Sequence, residues 1–188
     1  SVRSLLYGLM LNSGNDAAIA LSEAVSKTTE DFCALMNQKA KEIGLTQTHF
    51  TNPSGLPDKN HYTTPYELAV LAAVAMENET FRQIVGQTSY RAEDGNYIRV
   101  FSNHNKMLKY YKYTTGIKTG FTKSAGRCLV TSAKKDMSEL ICVTLSAPDD
   151  WADHKVLLDY GFSKMDVKTL CEALEYEFDI PVINGEQA

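Results

Sequence analysis

Long apolar runs are missing from this sequence. The longest, Leu68 to Met76, has nine residues, and a membrane-spanning helix needs roughly 20, so no segment crosses a bilayer as a helix. Runs of one charge sign are missing too. Lysine and arginine total 19 against 23 acidic residues, a net charge of −4. That balance argues against holding nucleic acid by phosphate neutralisation, and no nucleic-acid partner is expected. Cysteine is sparse. Cys33, Cys128, Cys142 and Cys171 match no zinc spacing and form no C-x-x-C pair. They read as buried free thiols, with a Cys128–Cys142 disulfide allowed if the two lie on neighbouring strands. His49, His61, His104 and His154 have no ligand spacing, so neither a metal nor a cofactor is expected.

What is present is ordinary for a globular chain: 44% apolar and 22% charged residues, a composition that excludes wholesale disorder, collagen-like structure and a small disulfide scaffold. At roughly 100–200 residues per domain, 188 residues make one domain, or one plus a fragment. The apolar stretch Leu5 to Leu11 has only Arg3 before it and no small-residue cleavage site after it, so it reads as a helix and not as a signal peptide.

The pattern predicts a buried helix over Val2–Leu11, then a break at Asn12-Ser13-Gly14-Asn15. A second helix, capped by Asn15 or Asp16, runs to about Val25. Thr28 opens a third, with Asp31 three residues on and an apolar face of Phe32, Leu35, Met36, Ala40 and Ile43. Gly44 sits where a left-handed C-terminal cap belongs. Thr64-Pro65-Tyr66-Glu67 starts a helix to about Glu77, and a short one covers Glu79–Val85, ended by Gly86. The period then changes to two. Thr88–Ala92 and Tyr97–Phe101 form a hairpin, and Gly116–Thr122, Arg127–Ala133 and Leu140–Ser146 are strands. A helix from Asp150 to Tyr160 ends at Gly161. Helices, then antiparallel strands, then a closing helix define an α+β fold, a helical block packed on an antiparallel sheet.

Two triplets carry chemistry. Ser13-Gly14-Asn15 places a hydroxyl and a carboxamide two residues apart on a sharp turn, a pair able to shuttle a proton and to hydrogen-bond a substrate amide. As structure alone, Ser and Asn are simply good cap residues. Lys118-Thr119-Gly120 puts an ammonium and a hydroxyl on a strand, their side chains on opposite faces, with a glycine that allows close backbone approach. Such an edge suits a ligand that ends in a carboxylate and binds as an added strand. As structure alone, it is an edge strand protected by a lysine.

In this order, with helices between and strands after, the triplets match the S-x-N and K-T-G elements of penicillin-binding proteins and class A β-lactamases. The stretches 6–18, 48–56, 61–64, 103–108, 116–122 and 158–162 make the chain resemble the low-molecular-mass penicillin-binding proteins, serine-type D-alanyl-D-alanine carboxypeptidases, over roughly residues 1–162. The resemblance implies a β-lactamase/transpeptidase-like fold and an acyl-enzyme route that removes the terminal D-alanine from peptidoglycan stem peptides. It implies that Ser13 relays protons to and from the leaving nitrogen and that Asn15 binds the substrate amide. Lys118 supplies positive charge to the terminal carboxylate and the proton network, and Thr119 hydrogen-bonds that carboxylate. The Phe121 N–H is an oxyanion donor on the substrate-binding edge Thr119, Gly120, Phe121, Thr122. It also implies export to the extracytoplasmic face of the bacterial membrane or the cell wall.

The family's nucleophile motif, S-x-x-K, lies upstream of S-x-N, and none of the twelve residues before Ser13 forms it. The match Ser132-Ala133-Lys134-Lys135 falls at a strand end and after K-T-G, the wrong context for a nucleophile. The expectation is a fragment, incomplete at the N-terminus and inactive alone, that binds β-lactams only with the missing part. Its sheet edge would be exposed and would invite dimerisation or strand exchange. Residues 163–188 read as a linker and the start of a β-rich C-terminal domain, although 166–176 reads equally as a helix. Two other readings compete. A class A β-lactamase relative needs a deacylating glutamate, but Glu67, Glu77 and Glu79 lack the E-x-x-L-N setting, and Gly14 stands where Asp is usual. A non-catalytic peptidoglycan-binding or sensor module would keep the cleft without the reaction.

Overall fold

The computed structural model describes residues 1–165. The first layer is helical: α1 (Val2–Asn12), α2 (Asn15–Ser26) and α3 (Thr29–Glu42). Thr28 caps α3 as expected, accepting from the Asp31 N–H and donating its hydroxyl to the Asp31 carboxylate. The helix ends in a Schellman motif. Gly44, at φ 82°, donates to the Lys41 carbonyl and Leu45 to that of Ala40. Three expectations need correction here. The N-cap of α2 is Gly14, with no side-chain cap, and Asn15 is the first helical residue. Leu35 is exposed, because Cys33 and Ala40 are the residues α3 turns inward. Helix α1 buries only Ser4, Gly8 and Leu11, a single stripe.

Helix α4 (Pro65–Met76) starts at the predicted cap, with the Thr64 hydroxyl accepting from the Glu67 N–H. Glu67 itself is buried and accepts from the backbone of Thr46 and Gln47 and the hydroxyl of Thr48, which fixes the loop before α4. Helix α5 (Glu79–Val85) follows. A hairpin of β1 (Ser89–Asp94) and β2 (Tyr97–Ser102) turns on only two residues, with Gly95 at φ 63° in the first. The short helix α6 (Met107–Tyr110) was not expected from the pattern, being a single turn too brief for a period.

The main sheet is antiparallel in the order β3 (Thr114–Thr122), β4 (Gly126–Lys135), β5 (Ser138–Thr144). Helices cover both faces. Leu129 and Ala133 of β4 pack with Met107, Tyr111, Leu158 and Phe162, the last two from α7 (Asp150–Ser163). Val130 points the other way, with Ile117, Val85, Ala72 and Met76. This α+β arrangement follows from the two-residue period of β4, whose alternate side chains fill two cores. Helix α7 passes through Gly161 without ending. A Cβ there would meet Leu140 Cδ1 at 2.7 Å, so this glycine serves close packing on β5. Cys128 and Cys142 are not opposite one another: Cys142 pairs with Thr131, and both thiols are free. The expected linker and C-terminal segment lie, from residue 166 on, outside the described residues.

Candidate active site

Ser13 occupies the corner between α1 and α2. It is left-handed, φ 55° and ψ 42°, a conformation that costs a non-glycine residue about 1–2 kcal/mol. The corner is tied down from the α1 side, because Gly14 donates to the Gly8 carbonyl at 3.1 Å. A second brace comes from the end of the hairpin and the segment after it. Asn12 Oδ1 accepts from the Ser102 N–H at 3.0 Å, and His104 N–H donates to the Leu11 carbonyl at 3.1 Å. Asn103 Nδ2 donates to the carbonyls of Val85 and Gln87, and Asn103 Oδ1 holds the Asn105 N–H. The Asn103–Asn105 loop is thus the splint that fixes α1 against α5 and the cleft.

Lys118, on β3, reaches this corner. Its ammonium donates to the Ser13 hydroxyl across a sequence separation of 105 residues, and to the Thr119 carbonyl at 2.7 Å. Burial pushes Lys118 down from 10.5 to about 8. Among the described residues no carboxylate stands beside it to reverse that effect, so near neutral pH the amine gives up its proton far more readily than a surface lysine.

A cavity of about 550 Å³ opens beside this pair. Ser13, Thr119, Gly120 and Phe121 line it together with Asn105, Lys106 and Leu108. The register explains why Lys118 and Thr119 serve different sides of the strand. Lys118 pairs with Val130, which belongs to the α4–α5 core, and Thr119 with Leu129, which belongs to the α7 core. Lys118 therefore meets the α1–α2 corner while Thr119 faces α7.

Of the residues marked by sequence, Ser13 and Lys118 touch, and Thr119, Gly120 and Phe121 share their cavity. Asn15 is exposed at the start of α2 and does not line it. Thr122 is engaged in the β3–β4 turn, where its hydroxyl accepts from the Ala125 N–H at 3.0 Å. Ser132, the head of the misplaced S-x-x-K match, is fully buried inside the sheet with its hydroxyl on Thr115. It is walled off from the cleft.

Arg127, Asp150 and Trp151 line the cavity and carried no motif. Arg127 on β4 pairs with Phe121, and its Nε and Nη2 both donate to Asp150 Oδ1, at 3.1 and 2.7 Å. Its guanidinium lies 5.4 Å from the Trp151 ring centre. The hairpin from Gly120 back to Arg127 was the available signal, since it returns the chain beside the K-T-G strand.

A family model described as D-alanyl-D-alanine carboxypeptidase matches residues 1–149. The chain is 34% identical over 191 residues to the D-alanyl-D-alanine carboxypeptidase DacF of Bacillus subtilis, covering all of this chain and 49% of that protein. It is 35% identical over 178 residues to the D-alanyl-D-alanine carboxypeptidase of Streptomyces sp. K15, covering 87% of this chain and 61% of that one. The crystal structure of the Streptomyces K15 DD-transpeptidase superposes with a TM-score of 0.82 at 34% identity, over 87% of this chain and 68% of its own. The D-alanyl-D-alanine carboxypeptidase from Mycobacterium tuberculosis H37Rv does so with 0.80 at 33% identity, over 87% and 64%. The chain spans about half of DacF and three-fifths of the Streptomyces protein. With a matched family model over most of its length and the Ser13–Lys118 cleft in place, the chain belongs to the D-alanyl-D-alanine carboxypeptidase family.

Proposed function

We propose that the cleft receives a peptide ending in D-Ala-D-Ala and serves the removal of its terminal D-alanine from peptidoglycan stem peptides through an acyl-enzyme. The observation that carries this reading is the hydrogen bond from Lys118 to Ser13, which lines the cavity. An amine whose burial brings it down to about 8 can pass a proton to the serine hydroxyl and take it back, and the hydroxyl can pass it to the departing amine nitrogen. Thr119 binds the ligand's carboxylate, and the backbone of Gly120 and Phe121 runs alongside the peptide as its strand partner. The N–H of Phe121 stands as an oxyanion donor. The 188 residues hold no S-x-x-K ahead of Ser13, so these residues alone form no acyl-enzyme. Incubation with benzylpenicillin leaves their intact mass unchanged; a stoichiometric adduct refutes this.

The test of the activity uses the full-length polypeptide that carries these residues. It releases D-alanine from an acetylated D-Ala-D-Ala peptide and not from the L,L isomer, and Lys118→Ala abolishes the release. Equal turnover of both isomers, or none of either, overturns the reading. A class A β-lactamase would turn over nitrocefin instead. The site of action that fits this substrate is the extracytoplasmic face of the membrane. Among the described residues β5 has a strand partner on one side only, and we expect a second chain to pair there, giving a dimer in sedimentation at high concentration; a strict monomer contradicts this.

A further inference from the structure

Lys118 is asked for two things that compete: a fixed positive charge for the ligand's carboxylate and a mobile proton for Ser13. Its ammonium is already committed to the Ser13 hydroxyl and the Thr119 carbonyl, and it lies on the α1–α2 side of β3. The carboxylate site beside Thr119 is on the other side, the one that faces α7. The guanidinium of Arg127 stands there.

Arg127 pairs directly with Phe121, so its side chain emerges on the same face as those of Phe121 and Thr119. It lines the cavity and its side chain is 41% exposed, whereas its partner Asp150 is 3% exposed. The contact spends only part of the guanidinium. Nε and Nη2 converge on a single oxygen of Asp150, which leaves Nη1 and one hydrogen of Nη2 with no partner among the described residues. The fork-on-fork arrangement, in which both arms meet both carboxylate oxygens, is not used here. Trp151 beside the guanidinium and the buried carboxylate behind it fix the plane in advance. Lys106 and Lys109 also line the cavity and add positive charge to it.

We propose that Arg127, aimed by the buried Asp150 and by Trp151, receives the terminal carboxylate of the peptide together with the Thr119 hydroxyl. Lys118 is then left to serve the proton chemistry at Ser13. This rests on the reading that the ligand ends in a free D-alanine carboxylate. Arg127 is the specificity-determining residue, and Asp150 is a positioning residue that acts through it.

The test compares two peptides on the full-length polypeptide, one ending in D-Ala-D-Ala acid and one in its C-terminal amide, with product quantified by mass spectrometry. The wild type prefers the acid. Arg127→Gln lowers kcat/KM for the acid by about tenfold to a hundredfold, the loss expected of a charge-assisted pair, and leaves the amide within about twofold. Turnover of the amide serves as the control for folding. Arg127→Lys keeps a point charge and recovers part of the acid preference. Asp150→Asn lowers the acid-to-amide ratio in the same direction by a smaller factor, a change that a merely structural role would not produce. An unchanged ratio in Arg127→Gln, or an equal fall for both peptides in Arg127→Gln and Arg127→Lys, overturns the proposal while the carboxypeptidase reading stands. Failure of the wild type to cleave either peptide overturns that reading and the proposal with it.

Discussion

Replacing Lys118 with methionine isolates the cost of holding an ammonium at the back of this cleft. A fall in pKa from 10.5 to about 8 corresponds to about 3 kcal/mol at roughly 1.36 kcal/mol per unit. Water reaching the partly buried side chain makes this an upper figure. Below pH 8 the lysine is charged in both folded and unfolded chains, so the folded state carries the whole cost. Between about 8 and 10.5 the unfolded chain keeps its proton and the folded chain sheds it, so stability rises with pH across that window. Above it neither state is charged and the cost is gone. The methionine has no such dependence. Its lost hydrogen bonds subtract about 1 kcal/mol at every pH. Urea unfolding of both proteins at intervals from pH 6 to 10.5 should show Lys118→Met as the more stable by about 2 kcal/mol at pH 6, and the difference falling by up to about 3 kcal/mol, through zero, as the pH rises. A gap constant to within about 0.5 kcal/mol across the series would refute the claim that burial depresses this lysine.

Two backbone predictions follow from the same corner and strand. Ser13→Gly should be more stable than Ser13→Ala by about 1 kcal/mol in thermal or urea unfolding, because only glycine adopts φ 55° without strain; equal stabilities would contradict the left-handed corner. In Gly116→Ala the new Cβ meets Val85 Cγ2 at 2.5 Å, and the resulting overpacking costs about 1–3 kcal/mol. A neutral Gly116→Ala would show that β3 and α5 are not in contact as described.

Local chemistry made much of the fold readable. Thr28 with Asp31, Gly44, and Thr64 with Glu67 each carry their cap signal within four residues, and each forms as read. The errors arise where distant contacts decide. Gly161 looks like a helix end, but α7 runs on to Ser163, and Leu140 of β5 lies 2.7 Å from where a Cβ on this glycine would stand. Leu35 fits the helical period, yet it stays 46% exposed and Cys33 takes the inward place. The short α6 is set by Asn105 Oδ1 on the Met107 N–H, a loop contact with no periodic trace. At the site, the serine corner and the lysine strand were joined by their resemblance to a family, since no local rule links residues 105 apart. Arg127 was invisible for a related reason. A buried aspartate in the first turn of a helix reads as an ordinary helix-dipole charge, and only the hairpin register brings the arginine to it.

The cleft itself is tested most directly by titrating the ¹⁵N-labelled chain with an acetylated D-Ala-D-Ala peptide and mapping the amide shifts. The account predicts perturbations concentrated at Ser13, at Thr119 to Phe121 and at the Arg127 and Trp151 side-chain N–H groups, with the L,L peptide leaving them still. Shifts confined to other surfaces, or the same shifts from both isomers, would contradict it.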